Sequence, residues 1–315
     1  MFGSATKRVV VLGGTGFVGR HVCAGFRHAD STREVVAVSR RAAPVPPGIR
    51  PLALDLCATP PETLARALTD GGPAVVVNAA GAVWAASDEE MSVANVELVR
   101  CLVEALRLAG PRVRLIHLGS VNEYAPAYQG SPVGETTPTT PTTTYGRTKL
   151  RGTDLVLAAA RRGDIDALVL RMANVAGPGS PAASLLGRVA QQLRLASREG
   201  RTAEIRLTPL RAARDFVDAS DAAAAALAAA RSSVTARVVN IGSGRAVAVR
   251  ALVELLIKVS GVQAEIIEQP AGDGVQTTPP EWLEVDIRLA QRLLGWFPRR
   301  NLEDSVTDLW RELPD

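Results

Sequence analysis

Cysteine is scarce and unpatterned. Cys23, Cys57 and Cys101 form no C-x-x-C pair and leave an odd count. That argues against a disulfide framework and for a reducing, cytoplasmic setting. Histidine is equally sparse: His21, His28 and His117 all precede position 118, so no His-rich metal cluster can be drawn and no metal is expected. Aromatic residues make up only 4% of the chain, which predicts an aliphatic core rich in small side chains. The longest apolar run, Ala222 to Ala230, is far too short to span a bilayer. Met1 to Lys7 runs straight into an apolar strand with no cleavable hydrophobic region, so neither a membrane segment nor a signal peptide is expected. The net charge of +4 is spread along the chain and lacks the dense Lys/Arg block of a nucleic-acid binder. It suits small anionic ligands as well as it suits an ordinary solvated surface.

What is present is a regular alternation. With 315 residues and 47% hydrophobic content, the chain is long enough for one large domain or two closely packed ones. Short all-apolar runs, as expected of strands buried on both faces, occur at Val9–Leu12, Val35–Val38, Leu52–Leu54 (ending at Asp55), Val75–Val77 (ending at Asn78), Val113–Leu118 and Ala167–Leu170. Between them lie helical patterns at Phe17–His28, Glu62–Leu68, Met91–Leu108 (closed by Gly110-Pro111) and Thr142–Arg162. This order predicts an α/β fold, a Rossmann-type doubly wound parallel sheet. Pro44–Pro51, Pro126–Thr144, Gly177–Ser184 and Gln269–Pro280 read as loops. Beyond Ser184 the alternation weakens. A helix at Asp218–Ala230, capped by Asp218 or Ser220, a strand at Val238–Ile241 and a helix at Val249–Val259 remain legible. We expect residues 1–172 to form a dinucleotide-binding domain, joined by elements from 215–260, and 173–315 to form a smaller α/β region that mainly covers the substrate.

Gly13-Gly14-Thr15-Gly16-Phe17-Val18-Gly19 joins the first strand to the first helix. The glycines at 13, 16 and 19 allow a sharp turn, close approach to a pyrophosphate and tight helix–sheet packing, while the helix N-terminus offers free N–H groups to the anion. A glycine-rich turn that packs without a ligand would look the same in isolation. The second strand ends Ser39-Arg40-Arg41, where an NAD site usually carries an acid for the adenosine ribose. Two guanidiniums and a hydroxyl suit a 2′-phosphate instead, so NADP(H) is the expected cofactor. Asp55-Leu56 could set a carboxylate by the adenine amino group. Asn78-Ala79-Ala80-Gly81 ends its strand in small residues, as a strand abutting a cofactor should.

Tyr145 and Lys149 lie four apart on a predicted helix and so share one face. A nearby ammonium should stabilise the phenolate and lower the tyrosine pKa. Ser120, at a strand C-terminus in the ligand crevice, can hydrogen-bond a reacting carbonyl. On its own the Tyr–Lys pair could be a helix-surface pair; its value lies in following the glycine turn and Ser120 in this order.

With these motifs, Ser120 four residues before Tyr124, the segments Leu170–Pro178, Arg214–Asp218, Asn240–Gly244 and Leu294-Gly295-Trp296, the chain resembles the extended short-chain dehydrogenases/reductases, in their nucleotide-sugar epimerase/dehydratase/reductase branch. The resemblance covers nearly the whole chain. It implies Tyr145 as general acid/base, Lys149 on the nicotinamide ribose and Ser120 on the reacting oxygen. It further implies Asn95 near the cofactor, Asn174 near a sugar diphosphate, Arg214 on a phosphate, and a homodimer. Departures from the branch narrow the reaction. Val121 and Asn122 replace the Asp-Glu of 4,6-dehydratases. Asn122 and Gly179 replace the Cys and His of epimerase-reductases. The acidic ribose ligand of NAD-retaining 4-epimerases is missing. The expected activity is NADPH-dependent reduction of the C4 ketone of a nucleotide-linked, dTDP-type 4-keto-6-deoxysugar, with Asn122 placed to bond the sugar. A 4-epimerase, a reductase of a non-nucleotide carbonyl and a non-catalytic dinucleotide sensor stand as alternatives. A second phosphate-binding Arg is absent before Gly272-Asp273, leaving Arg288 or another Arg as its substitute.

Overall fold

A computed structural model describes residues 8–70, 72, 74–83, 86–110, 113–269 and 282–313. Met1–Lys7, Pro111 and most of the loop expected at Gln269–Pro280, Gly272-Asp273 included, lie outside the described residues.

The strands are β1 (Arg8–Leu12), β2 (Glu34–Ser39), β3 (Ile49–Ala53), β4 (Ala74–Asn78), β5 (Val113–Ser120), β6 (Asp166–Met172), β7 (Asn174–Ala176), β8 (Ala203–Leu207), β9 (Ala213–Asp218), β10 (Arg237–Ile241), β11 (Ala246–Ala248), β12 (Ala264–Glu268) and β13 (Trp282–Leu283). The helices are α1 (Phe17–Ala29), α2 (Pro61–Thr69), α3 (Asp88–Ser92), α4 (Leu98–Ala109), α5 (Thr144–Arg161), α6 (Leu185–Glu199), α7 (Ala219–Arg231), α8 (Val249–Ser260), α9 (Arg288–Leu294) and α10 (Leu302–Arg311).

Seven parallel strands form the central sheet in the order β10-β6-β5-β4-β1-β2-β3. The order reverses between β1 and β4, and ligands of such sheets bind in the crevice beyond the strand C-termini at that point. Alternate residues of β1 serve two cores: Val9 and Val11 pack with α1 and α7 residues, Val10 and Leu12 with those of α2, α4 and α5. Helix α7 is nearly all alanine because it must lie close to α1; a Cβ added at Gly25 would sit 3.3 Å from the Ala223 Cβ. A third cluster gathers Leu186, Leu193, Ile205, Leu252, Leu256 and Leu309 from α6, β8, α8 and α10.

Three sequence expectations shift. Strand β3 begins at Ile49, inside the predicted proline-rich loop. It is the edge strand, where Pro51 need not donate to a partner. The long helix expected from Met91 starts earlier, at a Ser87/Glu90 capping box, and contains a π-helical turn at Val93–Glu97. The weakly patterned second half holds a fifteen-residue helix, α6, capped by the Ser184 hydroxyl on Gly187 N–H at 3.1 Å. No helix among the described residues is long and apolar enough to cross a membrane.

Candidate active site

The glycine turn forms at the C-terminal end of β1. Gly13 has φ +70 and donates its N–H to the Val38 carbonyl at 2.9 Å; Gly16 N–H closes the turn on Gly13 O at 2.9 Å. A Cβ at Gly13 would lie 2.9 Å from the Ala80 backbone, and one at Gly19 only 2.0 Å from Gly13 O. The turn thus folds against the Ala79-Ala80 strand end and the first turn of α1 packs on the turn itself. Gly16 is exposed, and its α1 N-terminus has no side-chain cap, so N–H groups there are open to an anion. Thr15 stands half-buried at the turn, and Val18 packs on the core. Phe17 meets the His21 ring edge-on. Ser39 bonds the Arg41 carbonyl at 2.6 Å. The Arg40 and Arg41 guanidiniums are exposed, with no ion pair among the described residues. A glycine cradle that tolerates no Cβ, an open helix terminus and two free guanidiniums fit a phosphorylated dinucleotide.

The remaining predicted cofactor positions divide. The Asp55 carboxylate accepts from Cys57 and Ala58 N–H at 3.0 and 3.3 Å, so it chiefly builds its own turn, and the Leu56 side chain is buried in the core. Asn95, 2% exposed, holds Ala82 by both backbone groups at 3.0 and 3.1 Å and donates to Thr148 Oγ1 at 3.1 Å. Its polar atoms tie the loop after Gly81 to α5; a Cβ at Gly81 would lie 2.9 Å from Asn95 Oδ1.

Ser120 closes β5, and α5 begins beside it, capped by Thr143 on Gly146 N–H at 3.0 Å. A Cβ at Gly146 would lie 2.2 Å from Asn122 O, and one at Gly152 2.4 Å from Asn95 O, so glycines let α5 press onto the Ser120 turn and the π-helical turn. The structure therefore brings Ser120, Tyr145 and Lys149 together. Asn122 donates to Ser120 Oγ from both its backbone N–H and its amide, each at 3.2 Å. With both Ser120 lone pairs engaged, the hydroxyl hydrogen is left for Tyr145, with which Ser120 is hydrogen-bonded. Lys149 Nζ donates to Leu118 O at 2.6 Å.

The electrostatics depart from expectation. Burial pushes the Tyr145 phenol up to about 12, against the Ser120 hydrogen bond that favours ionisation, and the Glu123 carboxylate pushes it up further. Burial also lowers the Lys149 pKa, opposed by Glu123. His117, paired with Asn78 at 3.1 Å, is held well below its ordinary value by burial and then by Lys149.

A small cleft beside Ser120 is lined by Val121, Asn122, Tyr124, Thr142, Thr143 and Leu283. One Asn122 amide N–H is engaged by Ser120; the amide has a second N–H and an acceptor oxygen besides. Asn174 donates to Asp215 O at 3.1 Å, bracing β7 against β9. Arg214 is the more suggestive group. Burial lowers its pKa, and its sole bond among the described residues is to Ala213 O at 3.0 Å; no carboxylate neutralises it. Arg288 differs: Asp286 pairs with it through both carboxylate oxygens and it is exposed, so it is no free cation. Gly179, φ +73, is covered by Arg20, whose guanidinium donates to its carbonyl at 2.5 Å. A Cβ there would lie 1.7 Å from Arg20 Nη2.

Sequence reasoning overlooked Glu123. It is fully buried, accepts from Ser120 N–H at 2.7 Å and pairs with Arg171 at 2.7 Å. Arg171 stacks 4.4 Å over the Tyr124 ring, whose hydroxyl donates to Asn240 at 2.7 Å. The three-residue spacing of Ser120 and Glu123 is a capping-box pattern, the one signal that could have found it.

Residues 9–242 match the NAD dependent epimerase/dehydratase family. The chain is 44% identical over 308 residues to a dTDP-6-deoxy-L-talose 4-dehydrogenase (NAD(P)(+)) of Kitasatospora kifunensis, covering 98% of this chain and 96% of that protein. The solved structure of MoeE5 in complex with UDP-glucose and NAD is 30% identical, with TM-score 0.79 over 96% of this chain and 97% of that one. RMD from Pseudomonas aeruginosa complexed with NADPH shares the fold at 23% identity and TM-score 0.80, over 98% and 97% of the two chains. The chain therefore belongs to the NAD-dependent epimerase/dehydratase family of extended short-chain dehydrogenases/reductases.

Proposed function

We propose that the protein reduces the C4 ketone of a dTDP-linked 4-keto-6-deoxysugar with NADPH. The observation that carries this reading is the Ser120 hydroxyl, held by Asn122 from behind and bonded to the Tyr145 phenol. A protonated phenol is the form that can donate to a developing alkoxide. The 44% identical relative is named for oxidoreduction at the same carbon of a dTDP-6-deoxysugar, which supports the substrate class.

Bound nicotinamide supplies the hydride. With substrate bound, the Ser120 hydroxyl hydrogen turns from Tyr145 to the carbonyl oxygen and stabilises its growing charge. Tyr145 gives that oxygen its proton. Lys149, tied to Leu118, fixes α5 against β5 so that phenol and hydroxyl stay in register. Arg214, desolvated and with no carboxylate partner among the described residues, holds the diphosphate. Arg40 and Arg41 bind the 2′-phosphate that distinguishes NADPH. Val121 carries no proton to lend to water elimination, and Asn122 and Gly179 stand where proton exchange at the neighbouring carbons would need an acid or base.

The test is NADPH consumption against a panel of 4-keto-6-deoxysugar nucleotides, with product configuration read by NMR. Stoichiometric oxidation with one new C4 alcohol is expected. Sugar interconversion without added cofactor would favour a 4-epimerase, and NADPH binding without dTDP binding would favour a non-nucleotide carbonyl.

A further inference from the structure

The diphosphate of a nucleotide sugar bears a negative charge on each phosphate, and Arg214 can answer only one of them. Arg288 does not supply the second cation, because Asp286 holds it.

The register of β9 shows where another cation stands. Arg214 is paired with Leu283 of β13 on one side and with Val247 of β11 on the other. Paired residues of neighbouring strands project from the same face of a sheet, so these three form a row across it. Leu283 is a wall of the cleft beside Ser120. The row therefore leads outward from the reacting centre through Arg214, in steps of roughly 5 Å. Arg245 lies two residues before Val247 and so shares its face. It stands diagonal to Arg214 across β9 and β11, within reach of a long side chain. It is exposed, and its guanidinium has no hydrogen bond or ion pair among the described residues.

Asp215 fixes that placement. Completely buried, it accepts from the Ser243 N–H at 2.6 Å and hydroxyl at 2.8 Å, from Gly244 N–H at 2.9 Å and from Val285 N–H at 3.3 Å. The Ser243 hydroxyl in turn accepts from Arg245 N–H at 3.3 Å. The donors to Asp215 are all neutral, so neither arginine is spent on this carboxylate. The residue next to Arg214 thus pins the turn that carries Arg245 onto the strand that carries Arg214.

We propose that Arg245 is a second diphosphate-binding residue, the outer member of a pair whose inner member is Arg214. The proposal rests on the reading of the substrate as a dTDP-sugar.

Calorimetric titration of the full chain with dTDP tests it, using the wild type, Arg245→Met and Arg161→Met. Arg161 is exposed at the far end of α5, roughly 24 Å along the helix from Tyr145, so its variant removes the same charge from the general field alone. Arg245→Met should weaken dTDP about fivefold, the upper range for an exposed ion pair, with NADPH affinity intact. Added salt should lower dTDP affinity more steeply in the wild type than in Arg245→Met. Arg161→Met should bind dTDP as the wild type does. Unchanged dTDP affinity in Arg245→Met, equal salt dependence in the two proteins, or the same loss in Arg161→Met would each overturn the proposal. Failure of the wild type to bind dTDP would instead defeat the dTDP reading, and this proposal with it.

Discussion

Lys149 reaches from the second turn of α5 to the Leu118 carbonyl on β5, 2.6 Å away, two residues before Ser120. The bond joins the helix that carries Tyr145 to the strand that carries the Ser120 hydroxyl. It also means that the ammonium secures the geometry of the pair while burial sets the phenol high.

Tyr145→Phe removes the proton donor and leaves the ring in place. Turnover should fall by at least ~10²-fold, the lower range for general acid catalysis, with NADPH affinity unchanged by calorimetry. Full turnover would refute the donor role.

Arg40 is exposed at the end of β2, free of any ion pair among the described residues. Arg40→Asp should weaken NADPH by about ten- to hundredfold, the worth of one charge-assisted hydrogen bond, and spare NADH. Equal weakening of both would reject the 2′-phosphate assignment.

Arg214→Met retains bulk but not charge. Binding of dTDP should weaken by about ten- to hundredfold on the same reasoning, with cofactor affinity intact. Unchanged dTDP affinity would move the diphosphate site elsewhere.

His117 gives a stability signature. The folded chain keeps the ring neutral well below its ordinary value of 6.5, while the unfolded chain takes up a proton there. Stability is therefore complete above 6.5 and declines as pH falls below it, by up to about 1.4 kcal/mol per pH unit. His117→Gln, which can still accept from Asn78, should flatten this dependence in denaturant titrations. An equal slope in the variant would remove His117 from the account.

The first half of the fold was legible because parallel strands buried on both faces read as unbroken apolar runs, as in Val9–Leu12 and Val75–Val77, and because the glycines between them admit no side chain. The site's outline followed from strand ends: Ser120, Tyr145 and Lys149 converge as their positions required. Its electrostatics did not follow. Helical spacing places Lys149 on the face of Tyr145 but says nothing of the Leu118 carbonyl that captures it. Glu123 reads as a surface acid until Arg171, 48 residues later, covers it. In the second half, strands of two or three residues such as β7, β11 and β13 are too short to show a period. Helix α6 was missed although Ser184 caps it, because its apolar face is shared with β8 and α8 rather than with the central sheet.

The most direct test follows the hydride. NADPH deuterated at its transferable hydrogen is incubated with the enzyme and a dTDP-4-keto-6-deoxysugar, and the product is analysed by mass spectrometry and NMR. One deuterium at C4 for each NADPH consumed is the predicted result. A product formed without label and without net cofactor oxidation would contradict the account.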